Sequence, residues 1–568
     1  MPQITILPFK KNMGVRTNET VLQALRRGGY EIEGPCNGKG ICGKCRIRVD
    51  NPADVPLTDH PSITETEALE MGIRLACHLI PQGDITVHLP DDFTVDARIL
   101  EGEHLGGIDL NPAANVVCQD GTYWLKYAGM DSQLILQKWD AQFSPKGLAI
   151  DIGTTTLVVT LFCLVSGKEL STTSSINPQT KFGHDVLSRI QKGSTQEGLD
   201  QVAAVVRKEL NRLIRAACQK SDAGVAEILD VVIGGNTTML TLVAAIDPES
   251  LGHLPFAVNI KGGASYAAND FGLDINPAGR IYVPPIVHAF IGSDITAGVL
   301  ACGFLEKQKP SLFVDVGTNG EMGINNNGRF IVASTAAGPA FEGMGVSCGV
   351  RAVPGAVEAA YFDGKTIDIK TIDAQPARGI CGSGIIDIMA SLLKAKIVNP
   401  DGRMKTPEEK EGLQVSVAEG LRLVDDKPVF NMADGVFFSQ ADIRQLQLAK
   451  GAIRTGIDML MSEAKVTAED LEDIILAGAF GYHLRPESLA TIGLIPEKLA
   501  RKVRFAGNTS KTGCAMMLIN ADLREYLQKQ VQRVEHLPLA EKISFQNLFI
   551  ENLNFPASDK KNGRLQIE

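Results

Sequence analysis

One short motif occurs twice in this chain, and it constrains the fold more than any other feature. Leu148-Ala-Ile150 runs into Asp151-Ile-Gly-Thr-Thr-Thr156 and then into a second apolar stretch, Leu157–Val165. Further on, Leu312-Phe-Val314 runs into Asp315-Val-Gly-Thr-Asn-Gly-Glu321. Each copy reads as a strand, a D-x-G-T turn and a returning strand. Such a hairpin suits polyphosphate: glycine lets the backbone approach, amides and threonine hydroxyls donate to oxygens, and aspartate holds magnesium directly or through water. A second pair of segments keeps the same order. Asp230-Val-Val-Ile-Gly-Gly-Asn-Thr-Thr238 and Asp473-Ile-Ile-Leu-Ala-Gly-Ala-Phe-Gly481 are both apolar strands that end in glycine-rich turns, each after a helix. Two related copies in one order are an internal duplication.

The N-terminal region carries a different chemistry. Of 11 cysteines, four lie early: Cys36, Cys42 and Cys45, spaced C-x5-C-x2-C, and then Cys77 in Arg74-Leu-Ala-Cys77. The plant-type ferredoxin pattern is C-x4-C-x2-C…C, so the first gap here holds one extra residue. Gly34, Gly38, Gly40 and Gly43 suit a loop that wraps tightly and aims N–H groups at sulfur. Four thiolates also suit zinc, but zinc sites generally use two C-x2-C knuckles and only one is present. The flanks predict strands at Ile4–Pro8, Cys45–Val49 and Ile85–Leu89, and a helix over Thr20–Arg27 opened by Asn18 or Thr20. The other seven cysteines (Cys118, Cys163, Cys218, Cys302, Cys348, Cys381 and Cys514) stand singly and read as small buried hydrophobes.

With 568 residues the chain exceeds one hydrophobic core, and its 44% hydrophobic and 21% charged residues fit a globular protein. A net charge of −10 with no basic tract argues against nucleic acid. The N-terminus lacks a secretory h-region and no run of about 18 apolar residues occurs, so no membrane span is expected and cytoplasm is the expected location. The predicted organisation is a multidomain α/β protein. It has a β-grasp domain at 1–92, a linker and small module at 93–145, one lobe of a duplicated domain at 146–310, a second at 311–525 with a returning helix, and an extension at 526–568.

The duplicated hairpins resemble the actin, hexokinase and heat-shock chaperone superfamily, in which two RNase H-like lobes clamp ATP. That resemblance implies Asp151, Gly153, Thr154 and Thr155 in the first phosphate loop, and Asp315, Gly317, Thr318 and Asn319 in the second. It implies Gly478 and Gly481 in the adenosine-side turn, and Lys450, on a helix over Asp442–Glu463, against the nucleoside. It also implies that Asp294, just upstream of the second hairpin, orients the attacking water or holds magnesium; the alternative is that Asp294 caps its helix, a task Ser293 could share. Gly507-Asn-Thr-Ser510 and the helix after it resemble the connection between lobes.

Fusion of a ferredoxin-like [2Fe–2S] domain to such an ATPase resembles the reductive activators of corrinoid proteins. The motifs Asn177-Pro-Gln179, Phe182-Gly183, Asp185, Gly338-Pro-Ala-Phe-Glu-Gly343 and Gly379-Ile-Cys-Gly-Ser-Gly384 carry the likeness. It implies a homodimer that uses ATP and Mg²⁺ to pass one electron from a [2Fe–2S] cluster to inactive Co(II) of a corrinoid protein, restoring Co(I) for a cobalamin-dependent methyltransferase. No flavin or NAD fingerprint occurs, so an external low-potential donor is expected. Each ~60 mV of uphill one-electron transfer costs about 1.4 kcal/mol, which gives ATP a purpose. Loops Ser334–Arg351 and Arg378–Gly384 are either surfaces that rearrange or tight turns of the second lobe. Two alternatives stand beside this: an activator of 2-hydroxyacyl-CoA dehydratases, and a redox-sensing chaperone-like module that uses ATP as a switch.

Overall fold

Two six-stranded sheets repeat one topology in the computed structural model, which describes residues 2–7, 11–27, 45–50, 55–57, 63, 68–69, 71–89, 108–119, 122–128, 133–138, 144–183, 185–478 and 484–557. In the first sheet the spatial order is Glu169–Ile176, Thr156–Cys163, Lys146–Ile152, Ile228–Gly235, Arg280–Val283 and Ala264–Ala267. In the second it is Arg329–Thr335, Gly320–Asn326, Ser311–Val316, Ile474–Ala477 and Val503–Gly507, with Glu535–His536 added beyond Arg329–Thr335. The D-x-G-T hairpins are antiparallel, pairing Ile150 with Val159 and Val314 with Met322. Beside each lies a parallel strand, with Ala149 opposite Val232 and Val314 opposite Leu476. The duplication inferred from two short motifs is therefore a duplication of sheet topology.

Why these segments become central strands follows from their composition. Ile228–Gly235 is buried at every position, as befits a strand covered on both faces, so it reads as a continuous apolar run. Crossover helices supply the cover. Gln196–Lys220 starts at Thr195, whose side chain accepts from Gly198 N–H, and buries Val202, Val206, Leu210, Leu213 and Ala217 along one stripe. Gln440–Glu463 starts at a capping box in which Ser439 and Asp442 satisfy each other's backbone N–H groups.

The helix Thr509–Ile519 leaves the second sheet after Val503–Gly507 but packs against the first lobe. Its Gly513 must be glycine, since a Cβ there would stand 2.0 Å from the Ala297 carbonyl oxygen. This helix ties the two lobes together at the mouth of the hairpins.

Residues 93–145 were expected to hold a linker and a small module. Their described part forms a meander of Ala114–Gln119, Thr122–Ala128 and Gln133–Lys138. Tyr127 from its central strand enters a buried network: Arg524 donates to Asp230 at 2.5 Å and to the Tyr127 hydroxyl at 3.1 Å, while that hydroxyl donates to Asp230 at 3.3 Å. Asp230 lies in the glycine-turn strand of the first lobe, Ile228–Gly235, and Arg524 belongs to the C-terminal helix Asp522–Val531, so three parts of the chain meet here. The equivalent Asp473 of the second lobe is held by Lys307 at 2.6 Å and by Arg504 at 3.4 Å.

The N-terminal sheet has the order Lys11–Gly14, Gln3–Leu7, Ile85–His88, Arg46–Val49, Ile73–Leu75, with Gln3–Leu7 parallel to Ile85–His88. Its helix, Val21–Arg27, is opened by Thr20, whose hydroxyl accepts from Gln23 N–H while Gln23 accepts from Thr20 N–H. Arg74, fully buried, donates to the carbonyls of Val55, Pro56, Ala68 and Ile73 and so moors the loop before Cys77.

A nucleotide cleft and a two-thiol ledge

The two hairpins bring their polar residues to one place. In the first, Gly153 N–H donates to the Thr156 carbonyl, the Asn177 side chain donates to the Gly153 carbonyl at 2.8 Å, and Asn236 donates to the Thr154 hydroxyl at 3.0 Å. Asp151 accepts from Asn508 at 2.8 Å and from Ser510 at 2.7 Å, both at the start of the helix that returns from the second lobe. In the second hairpin, Gly317 N–H donates to the Asn319 carbonyl, and Asp315 stands opposite Glu321 in the strand register. Gly478, at φ 113°, rests on this hairpin: a Cβ there would meet the Val316 carbonyl oxygen at 2.5 Å and an Asp315 carboxylate oxygen at 3.3 Å. A single carboxylate, Glu342, accepts from the Thr155 and Thr318 hydroxyls at 2.7 Å each, and so spans the two hairpins.

Asp151, Asp294, Asp315 and Glu342 each keep part of their surface open, whereas Glu321 is buried. Their mutual repulsion shows in their acidity. Burial, then Asp315 and Asp151, push the Asp294 carboxyl up to about 8. Burial, then Asp151 and Glu342, push Asp315 up to about 7. Burial, then Asp294 and Asp315, hold Glu321 well above the usual range. Burial raises Asp151 as well, against the hydrogen bonds from Ser510 and Asn508.

This donor set is all oxygen, which fits a hard divalent cation. Among the described residues no three carboxylates, thiols or imidazoles converge tightly enough to hold an ion alone. Magnesium is commonly held by one or two carboxylates together with waters and phosphate oxygens, so the set fits an ion that arrives with a nucleotide.

Asp294 is the second residue of the helix Ser293–Ala301, and its Oδ1 accepts from Ile295 N–H at 2.9 Å. Gly292 holds the cap position and no side chain caps this helix: Asp294, inside the first turn, bonds only the N–H of its successor, and the Ser293 hydroxyl is buried against Gly235, bonded to both N–H and carbonyl. Lys450 is the departure. Expected against a nucleoside, its ammonium donates instead to the Asn554 carbonyl and sits 5.1 Å from the centre of the Phe555 ring. Burial brings it down to about 7. The helix that carries it spans Gln440–Glu463, two residues longer at its start than expected.

In the N-terminal domain the structure brings two of the four expected thiols together. Cys45 is buried, Cys77 is partly buried, and Cys77 N–H points at Cys45 Sγ at 3.5 Å. An N–H aimed at sulfur stabilises a metal-bound thiolate, so this ledge fits the cluster. Cys36, Cys42 and Gly481 lie outside the described residues. Among the single cysteines, Cys218, Cys381 and Cys514 are buried.

Three family descriptions cover the chain: a 2Fe-2S iron-sulfur cluster binding domain over residues 4–82, the RACo middle region over 146–307, and the C-terminal domain of RACo, the ASKHA domain, over 309–564. A corrinoid activation enzyme of Eubacterium limosum, RamQ, is 32% identical over 72% of this chain and 70% of its own length. The chain belongs to the RACo family of corrinoid activators. A methylated amine-specific corrinoid protein Co(II) reductase of Methanosarcina barkeri is 26% identical over 72% of this chain and 77% of its own. A solved reductive activator for a corrinoid, iron-sulfur protein superimposes over 98% of this chain and 99% of its own, with TM-score 0.72 and 27% identity. These findings do not favour the dehydratase-activator or chaperone-like alternatives.

For this member of the RACo family, sequence reasoning quoted Glu342, Glu321, Asn177, Asn508 and Ser510 inside its motifs without giving them a role. Asn236 likewise stood in a quoted turn. Contacts made 187 residues apart for Thr155–Glu342 and 357 apart for Asp151–Asn508 are what assign them.

Proposed function

We propose that this chain hydrolyses ATP to drive one-electron reduction of Co(II) in a corrinoid protein, returning it to Co(I) for a methyltransferase. The observation that carries the reading is the pairing of two D-x-G-T hairpins across one cleft with a thiol ledge suited to a cluster in the same chain. The backbone of Gly153 and Gly317 and the hydroxyls of Thr154, Thr155 and Thr318 receive the polyphosphate; Asn319 completes the second turn. Asp151 and Asp315 would hold Mg²⁺ together with phosphate oxygens, Asp151 being oriented by Asn508 and Ser510. Asp294, ionised once a neighbouring cation lowers its pKa, would accept the proton of the attacking water. Gly478 and Gly481 flank the adenosine. Cys36, Cys42, Cys45 and Cys77 would hold a [2Fe–2S] cluster, the group that would carry the single electron received from an external low-potential donor. The active species is a cytoplasmic homodimer. Among the described residues no helix is long and apolar enough to cross a membrane.

The test is reduction of a Co(II) corrinoid protein followed by its visible spectrum, with titanium(III) citrate as donor. Co(I) should form with this protein and Mg-ATP and fail to form with a non-hydrolysable analogue. Equal rates with and without ATP would sink the proposal.

A further inference from the structure

The carboxylate that spans the hairpins belongs to a turn wired into the second lobe. Glu342 ends the single 3-10 turn Pro339–Glu342, set between Gly338 at φ 79° and Gly343 at φ 77°, conformations that glycine adopts without strain. Gly338 N–H donates to the Thr318 carbonyl at 2.9 Å, which moors the turn on the second hairpin. Beyond it, Ser347 donates through both N–H and hydroxyl to Asp442, at 2.7 and 3.0 Å. Asp442 is the capping-box residue of Gln440–Glu463. On the other side, Gly382 opens the helix Gly382–Lys394 so close to this turn that a Cβ would lie 1.9 Å from the Phe341 carbonyl oxygen. A shift of Glu342 thus reaches two helices.

A threonine hydroxyl has one proton to give. Thr155 and Thr318 both give theirs to Glu342, from opposite lobes. A phosphate oxygen entering between the hairpins needs those same protons, and it brings negative charge beside a carboxylate. We propose that Glu342 is a nucleotide-displaced latch: the terminal phosphate takes both hydroxyls, Glu342 swings away, and the segment Ser334–Arg351 moves with it. This rests on the reading that the hairpins bind ATP. It gives that loop the rearranging role, and makes Glu342 a positioning residue whose release reports that the cleft is filled.

The latch predicts the sign of a substitution. Glu342→Gln removes the charge and accepts poorly from two hydroxyls at once, so Mg-ATP should bind the full-length protein about 5- to 10-fold more tightly by calorimetry. Hydrogen exchange over residues 339–347 should rise several-fold when ATP is added to the wild type. In Glu342→Gln it should already be raised without ATP and change little on addition. Weaker or unchanged ATP binding in the variant would overturn the latch, since Glu342 would then hold the nucleotide or its cation, or do neither. An exchange rate in the wild type that ignores ATP would overturn it without any variant, which covers the case of a variant that does not fold. Absence of ATP binding by the wild type would instead refute the ATPase reading itself.

Discussion

Asp294 sits in the first turn of its helix without capping it, since Gly292 holds the cap position and no side chain bonds there. Its Oδ1 accepts one N–H of the first helical turn, yet its carboxyl is pushed up to about 8 by burial and by Asp315 and Asp151. Asp294→Asn keeps a side-chain acceptor but removes the base, so hydrolysis should fall by about 10²-fold or more, with ATP affinity and melting temperature unchanged. Near-normal turnover would remove Asp294 from the chemistry. The sign of the pH dependence follows from the same group. Because its folded value and that of Asp315 are raised, the protein without cation holds protons at pH 7 that a bound Mg²⁺ must expel. Magnesium affinity, read from the half-saturating concentration for ATP hydrolysis, should therefore strengthen as pH rises from 6 through 8 and level off only about one unit above that. Asp315→Ala and Asp151→Ala should each suppress magnesium-dependent hydrolysis while leaving the visible spectrum of the cluster intact.

Among the elements, the hairpins were legible from sequence because a phosphate turn restricts its residue types at each position. The returning helix Thr509–Ile519 was legible only as a helix. Which lobe it covers depends on Gly513 meeting Ala297, and nothing within Gly507-Asn-Thr-Ser510 states that partner. Gly513→Ala should force the helices apart and loosen the grip of Asn508 and Ser510 on Asp151. We expect a loss of about 1–3 kcal/mol in the stability of the nucleotide domain, seen in its denaturant midpoint, together with weaker ATP binding. The lysine on Gln440–Glu463 shows the opposite limit. Lys450 occupies a helix where a nucleoside contact is expected, but the C-terminal residues Asn554 and Phe555 reach it first. Helical periodicity places a residue on a face without saying which distant segment will cover it.

For the whole molecule, the network of Tyr127, Asp230 and Arg524 fixes the meander within residues 114–138 to the first lobe and to the C-terminal helix. Removing one partner of a buried ion pair costs about 3–5 kcal/mol, because the other charge stays behind without compensation. No comparable contact is needed to explain the cluster ledge, which the N-terminal sheet builds from its own strands, Arg46–Val49 and Ile73–Leu75, around Cys45 and Cys77. The two chemistries should therefore separate under mutation. Cys45→Ser or Cys42→Ser should abolish the [2Fe–2S] spectrum and Co(II) reduction, while Mg-ATP still binds with wild-type affinity and the nucleotide domain melts as before. Conversely, Asp315→Ala should retain the cluster and accept an electron from titanium(III) citrate, yet fail to deliver it to cobalt. If Cys42→Ser still reduced Co(II) at the normal rate, the electron would not travel through this cluster. If Cys45→Ser also lost ATP binding, the ledge and the cleft would form one cooperative unit rather than two.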